Sequence, residues 1–212
     1  LGIVSMSIYS GKTISKHGHY KRFPVIGAVI MTLGILLMTR LEIDTPYWQV
    51  ALNAVLVGMG LGLSMQTIVI ALQNSVEMRD MGVATSSNTF FRSLGSVFGT
   101  AFFGSVLTNR LAHYMQSGFA DLAKTNPQAV SAIDPTAMKG LANNSKLIHT
   151  LPADVQHVVL QAFVNSFHVV FYAAAPITAI GFFLALMLRE TPLRTNEDYK
   201  KAAQDAAGES LG

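Results

Sequence analysis

Small and polar side chains repeat along one side of residues 48–72 and the turn that follows. A helix advancing about 100° per residue would place them within a sector of roughly 80°. Such amides and hydroxyls bind ligands in a water-filled membrane cavity, or they bond neighbouring helices together. A second polar row nearby favours the cavity, and the alternative stays open. The first row is Asn53, Gly60, Ser64, Thr67 and Asn74, and the second is Gln66 and Gln73.

Arg92 is the one basic residue inside an apolar segment, residues 83–107. A charged side chain inside the membrane costs at least ~2.5 kcal/mol unless it pairs, meets water or reaches the interface. Its helical spacing from Asn88, Gly95 and Gly99 places it on a close-packing face. Arg92 is therefore predicted to be a gate or interface charge, together with Asn88. The alternative is that its long stem reaches back to the aqueous interface.

Two Gly-x-x-x-Gly pairs, Gly58 with Gly62 and Gly95 with Gly99, occur in neighbouring apolar segments. Such pairs allow close approach of helix backbones, so a tight bundle is predicted. The glycines around Gly60 do not form a nucleotide-binding loop, because they lie in mid-segment with no strand before them.

The elements that must position these residues are membrane helices. Half of the 212 residues are hydrophobic and 13% are charged, against about 25% charge in soluble domains. The pattern lacks the alternation of barrel strands, so the predicted class is an all-α integral membrane protein. Four segments are long enough to cross a bilayer, after the end of a truncated span at residues 1–9. The four predicted full spans are residues 23–39, 48–72, 83–107 and 166–188.

The charge distribution predicts the orientation. Residues 10–22 hold four basic residues and no acid, which places this loop in the cytoplasm by the positive-inside rule. Alternation then puts residues 73–82 in the cytoplasm and residues 108–165 in a long extracytoplasmic loop, with helix starts near Asp134 and Pro152. Residues 189–212 form a cytoplasmic tail. The net charge of +3 follows this topology, so no nucleic-acid partner is expected. The basic residues of the loop are Lys12, Lys16, Lys21 and Arg22.

No constellation for catalysis or metal binding stands out. No Asp or Glu occurs inside the apolar segments, and His168, near the outer end of the last span, is interpreted as an interfacial residue. No catalytic residue, metal site or cofactor is therefore predicted.

Residues 10–22 resemble the Gly-x-x-x-Asp-Arg-x-Gly-Arg-Arg loop of the major facilitator superfamily. Ser15 stands at the Asp position and His19 at the first Arg after the second glycine, as in a degenerate second-half copy. The matching or retained positions are Gly11, Lys16, Gly18, Lys21 and Arg22. A stronger resemblance links residues 58–66, 73–76 and 82–95 to the C-terminal half of the fourteen-span drug:proton antiporters, the EmrB/QacA group.

This resemblance implies part of the C-terminal half of a major facilitator fold in the inner membrane, with its tail in the cytoplasm. It implies multidrug efflux by drug:proton antiport through alternating access. The expected partners are small amphipathic or cationic compounds, the lipid bilayer and the missing N-terminal half. The proton would be the coupling ion, carried by a residue outside this fragment. The helix at residues 48–72 would line the central cavity, and the helix with Arg92 would lie at the moving interface.

Two alternatives stay open at this point. The first keeps the fold and changes the cargo to a metabolite, a lipid precursor or a siderophore. The second is an integral membrane enzyme or a non-transporting membrane scaffold. An enzyme is disfavoured, since intramembrane acids, His pairs and nucleophile sets are absent from this sequence.

Overall fold

The regular elements of the described residues are all helical. The computed structural model describes residues 2–128, 151–190 and 192. A single 3-10 turn, Met78–Asp80, precedes the fourth helix. The prediction of an all-helical fold is confirmed for the described residues. The helices are α1 Gly2–His17, α2 Arg22–Met38, α3 Tyr47–Ser75, α4 Met81–Thr125 and α5 Ala153–Met187.

Three of the described helical segments are long and apolar enough to cross a membrane. They are Tyr47–Ser75, Met78–Thr125 and Ala153–Met187. The apolar helix α2 has 17 residues, which is the short end of what a bilayer requires. The predicted span at residues 23–39 corresponds to α2, so a fourth full span stays a prediction.

The basic segment at residues 10–22 is mostly helix, and its prediction as a loop is wrong up to residue 17. α1 continues to His17, and the Oγ atoms of Thr13 and Ser15 donate to carbonyls within this helix. The helix stops at Gly18, whose φ of 75° is left-handed and whose N–H donates to Ile14 O at 2.8 Å. A glycine adopts this backbone conformation without strain, so only residues 18–21 connect α1 to α2.

The two long helices extend beyond the predicted spans. α4 continues past residue 107 to Thr125, and α5 begins at Ala153, directly after Pro152, rather than at residue 166. Both ends of the predicted connection at residues 108–165 are therefore helical. The helix start near Pro152 was predicted, whereas the continuation of α4 beyond residue 107 was not. Residues 129–150, including the expected helix start at Asp134, lie outside the described residues. So do residues 193–212 of the predicted tail.

The chain divides into two compact units. The first comprises the described residues of Leu1–Ile35, Ala51–Phe98 and Ala175–Gly212. The second comprises the described residues of Leu36–Val50 and Gly99–Ala174.

The second unit contains a helical hairpin, formed by residues 108–125 of α4 and residues 153–166 of α5. Its core consists of the buried Phe119, Val155 and Val159. Asn126 Nδ2 donates to Asp154 Oδ2 at 3.1 Å, so the end of α4 meets the start of α5 and the helices run antiparallel. An amphipathic stripe explains why α4 stays helical beyond its apolar part, since Phe119 is buried and Met115 and Leu122 pack against the same core.

Candidate functional site

Helix α3 carries most of the predicted site residues, and one of its sides packs closely on α1. Ser7 Oγ donates to Gly62 O at 3.1 Å. A Cβ atom placed on Gly62 would collide with the carbonyl oxygen of Ile3, and one on Gly58 would lie 3.4 Å from Ile3 Cγ1. The pair Gly58 and Gly62 therefore lies at the contact with α1.

A second side of α3 packs on α2 through another glycine pair. A Cβ atom on Gly60 would lie 2.5 Å from Gly27 O and 2.7 Å from the backbone N of Met31. A Cβ atom on Gly27 would lie 2.6 Å from Ser64 Oγ. Contacts this short show that the two backbones touch where these glycines meet.

The first polar row of α3 faces this contact with α2. Asn53 is 5% exposed and Thr67 is 0% exposed. Thr67 Oγ1 donates to Leu63 O at 2.7 Å, and Ser64 Oγ donates to Gly60 O at 3.0 Å, so both hydroxyls bond within their own helix. At Asn53, Gly60 and Thr67 the geometry favours helix packing over an open cavity.

The second polar row lies on a different side of α3. At about 100° per residue, Gln66 and Gln73 lie roughly 120° from the centre of the first row. Gln66 is exposed and Gln73 is half-buried, and Leu52 on the same side is 51% exposed. Among the described residues of the first unit, this is the polar side of α3 that stays open.

Two cavities of the first unit touch α3 on its different sides. One, of about 490 Å³, lies among α2, α3 and α5 and is mostly apolar, with Ser64 and Thr178 as its polar lining. Thr32 Oγ1 donates to Thr178 Oγ1 at 3.2 Å. The other, of about 550 Å³, lies between α1 and α3 and is lined by Lys12, Lys16 and Gln66 among others. Only the second cavity carries charge.

A terminal cluster joins the end of α5 to the α1–α2 turn and to the end of α3. Tyr20 N donates to Glu190 Oε1 at 3.1 Å, and Tyr20 Oη donates to Arg189 O at 3.2 Å. His19 Nδ1 lies 3.2 Å from the same carboxylate oxygen. Asn74 Nδ2 donates to the carbonyl oxygen of Pro192 at 2.9 Å. Sequence reasoning missed Tyr20 and Glu190, since they lie 170 residues apart and no motif connects them.

The packing of Tyr20 strengthens this cluster. Its side chain is 1% exposed and belongs to a core with Ile14 and Ala71, against which Leu188 packs. Three segments that the charge pattern assigns to one side of a membrane, residues 10–22, residues 73–82 and the start of the tail, thus contact each other within the first unit.

The candidate gate residues lie on an exposed stretch of α4. Arg92 is exposed and Asn88 is half-buried. Within the described ranges, Arg92 has no ion pair. A Cβ atom on Gly95 or Gly99 would meet nothing within 4 Å. The described residues thus supply no packing neighbour at these two glycines, and the roles of all four residues stay predictions.

The described residues contain no group of three or more His, Cys, Asp or Glu side chains placed to hold a metal ion. The chemistry at the open side of α3 is instead amide hydrogen bonding beside ammonium groups.

Long apolar helices, close glycine packing and a polar open side define the class of protein, a helical membrane bundle. Similarity to known proteins narrows this class to a family of transporters. An MFS-type transporter of Mycobacterium tuberculosis is 36% identical over 93% of this chain. The multidrug transporter protein MdtP of Bacillus subtilis is 28% identical over 100% of the chain. The tetracycline resistance determinant of Streptomyces rimosus is 25% identical, also over 100% of the chain.

The chain is therefore homologous to a part of the transporters of the major facilitator superfamily (MFS), and it is a multi-pass membrane protein. The mycobacterial relative and MdtP are transporters, which confirms the prediction that the chain is not part of an enzyme. The chain spans 27% of the length of the mycobacterial relative, 41% of MdtP and 65% of the tetracycline determinant. No protein-family profile matches the chain. No solved structure matches it either.

Proposed function

We propose that this chain is part of a secondary active transporter that exports amphipathic drug-like compounds, cationic ones among them, by proton antiport. The observation that carries the proposal is the alignment of the whole chain with a multidrug transporter and with a tetracycline resistance determinant. The proposed place of the chain is the C-terminal half of a fourteen-span protein of the EmrB/QacA type. It contributes four full spans, with α2 as the shortest, and α1 as the end of a further one.

The open side of α3 is the proposed lining of the central cavity. Alternating access requires a midplane site between two halves that rock against each other. Gln66 is exposed beside α1 and Gln73 is half-buried on the same side of α3. Both lie away from the contact with α2, where their amides are proposed to meet a substrate. Asn53 and Thr67 are instead buried on the side of α3 that carries Gly60, while Ser64 borders the apolar cavity.

The proposed orientation in the inner membrane places the terminal cluster on the cytoplasmic side. Lys12, Lys16, Lys21 and Arg22 lie at the ends of α1 and α2 that join this cluster, and positive residues accumulate on the cytoplasmic side of membranes. The predicted tail, residues 189–212, would then lie in the cytoplasm. Proton coupling requires an intramembrane acid, and the described acids lie outside the predicted spans, so the carrier is proposed to lie elsewhere in the transporter.

The direct test is transport by the full-length protein in proteoliposomes with an imposed pH gradient. Ethidium should move against its gradient, and adding it should release protons from the coupled side. Ethidium-independent proton flux, or none, would overturn the drug:proton assignment. The exporter of a metabolite, lipid precursor or siderophore, or a non-transporting scaffold, would then take its place.

Replacing Gln66 tests the open side of α3. Gln66→Ala should raise the KM for ethidium efflux about three- to tenfold, the effect of losing one neutral hydrogen bond. Gln49→Ala is the matched control, because Gln49 is an exposed glutamine at the first turn of the same helix. Equal KM values for the two variants would remove Gln66 from the substrate pathway.

Replacing Arg92 tests whether this residue lies at the proposed moving interface between the two halves of the transporter. Arg92→Ala should lower the rate of ethidium efflux about tenfold or more while the protein level stays normal, since a charge that holds one transport state is lost. Arg79→Ala is the control, because Arg79 is exposed and pairs with neighbouring acids in the turn before α4. Unchanged efflux with Arg92→Ala would show that Arg92 is no gate, and that its side chain only extends to the aqueous interface of the membrane.

A further inference from the structure

The cavity of about 550 Å³ between α1 and α3 combines two ammonium groups with an amide. Its walls come from the last two turns of α1 and from the second half of α3. The lining residues are Gly11, Lys12, Ser15, Lys16, Gln66 and Ile70. Five of the six positions are small, polar or basic, in contrast to the apolar cavity on the other side of α3.

The positive charge of this cavity is uncompensated in the described part of the chain. Lys12 and Lys16 lie one helical turn apart and therefore on one face, where like charges repel. None of the ion pairs among the described residues involves either lysine. Glu190, an acid that contacts the α1–α2 turn, is engaged by Tyr20 and His19.

The uncharged lining adds one amide donor, that of Gln66, to this open cavity. A Cβ atom on Gly11 would lie 3.7 Å from Gln66 Cγ, so the glycine brings the Gln66 side chain close to the lysine helix. Ser15 Oγ already donates to Gly11 O at 2.9 Å, which commits its proton. Ile70 supplies an apolar wall on the α3 side. Ammonium groups bind oxyanions best when a second donor shares the charge.

We propose that this cavity binds the oxyanion group, a carboxylate, sulfonate or phosphate, of an amphipathic anion. Lys12 and Lys16 hold the charge, the Gln66 amide donates a further hydrogen bond, and the apolar part of the molecule extends along Ile70. The inference rests on the proposed function for the position of Gln66 beside the transport pathway. It goes beyond that function, which assigns no site for a negative charge.

Two kinds of molecule supply such an anion. One is a transported amphipathic anion, and the other is the headgroup of an anionic phospholipid, which basic pockets at the cytoplasmic ends of membrane helices attract. Both use the same donors, so the chemistry of the site is common to them. The competing explanation is that the lysines only complement the negative end of the α1 dipole, and then no specific ligand would bind.

The test measures binding of the fluorescent sulfonate 8-anilinonaphthalene-1-sulfonate to the purified full-length protein in nanodiscs of phosphatidylcholine. The double variant Lys12→Gln/Lys16→Gln should weaken binding of this probe about tenfold or more. The variant Lys12→Arg/Lys16→Arg should retain it. Arg79→Gln, which removes an exposed positive charge outside the cavity, should leave the affinity unchanged.

The outcomes separate the sources and the alternatives. If nanodiscs that contain phosphatidylglycerol suppress probe binding to the wild type but not the residual binding of the Gln variant, the phospholipid headgroup is the occupant. If phosphatidylglycerol has no effect and the protein exports the sulfonate, the occupant is a transported anion. Equal probe affinity for the wild type and the Gln variant overturns the site. Absence of ethidium transport would count against the proposed function alone, since the binding measurement does not depend on transport.

Discussion

Gly60→Ala is expected to destabilise the whole helix bundle of the first unit. Its Cβ atom would lie 2.5 Å from Gly27 O and 2.7 Å from the Met31 backbone N, whereas ordinary contact begins at 3.4 Å. Both obstacles are backbone atoms, so no side-chain rotation relieves the overlap. α2 and α3 would have to move apart by almost an ångström, which loosens the contacts along both helices.

The expected loss is about 1–3 kcal/mol or more of folding free energy, as for other overpacked interiors. The measurement is the thermal stability of the full-length protein in detergent, followed by fluorescence-detected size exclusion. Gly104→Ala is the matched control, since a Cβ atom there meets nothing within 4 Å. A Gly60→Ala protein as stable as this control would show that α2 and α3 do not touch at Gly60.

The sequence predicts the helical class and the apolar segments because both follow from composition and from the length of apolar runs. It does not predict which side of α3 faces a neighbour. Asn53 and Thr67 carry the same polar groups whether they line a cavity or pack, and the difference lies in which helix covers them. Thr67 satisfies its hydroxyl with Leu63 O in its own helix, a bond that any helical threonine has available.

The sequence contains a signal for the helical hairpin. Leu111, Met115 and Phe119 follow one another at four-residue spacing, the stripe of an amphipathic helix, and Phe119 and Leu111 are buried. Low overall hydropathy beyond residue 107 obscured this stripe. The sequence does not predict the terminal cluster, because its contacts depend on tertiary structure that brings residues 20 and 190 together.

Tyr20→Ala should be the most damaging change in the terminal cluster. The side chain is 1% exposed, and deleting a buried aromatic ring costs about 3–5 kcal/mol. Tyr20→Phe keeps the ring and removes the hydroxyl that donates to Arg189 O, a hydrogen bond worth about 1 kcal/mol. Tyr172→Ala, which removes a tyrosine that is 62% exposed, should cost least. Thermal stability of the full-length variants gives this ranking.

A second measurement separates the packing of the Tyr20 ring from the role of the Tyr20 hydroxyl in holding the backbone after α5. The main chain at Arg189 and Pro192 is tied to Tyr20 and Asn74 by hydrogen bonds, and trypsin cleaves only where the backbone opens locally. Cleavage after Arg189 should therefore be faster in Tyr20→Phe than in the wild type, even where the melting temperature barely changes. Identical cleavage rates in the two proteins would mean that the Tyr20 hydroxyl does not hold the end of α5. The buried ring, Glu190 and the hydrogen bond from Asn74 to Pro192 O would then hold the cluster.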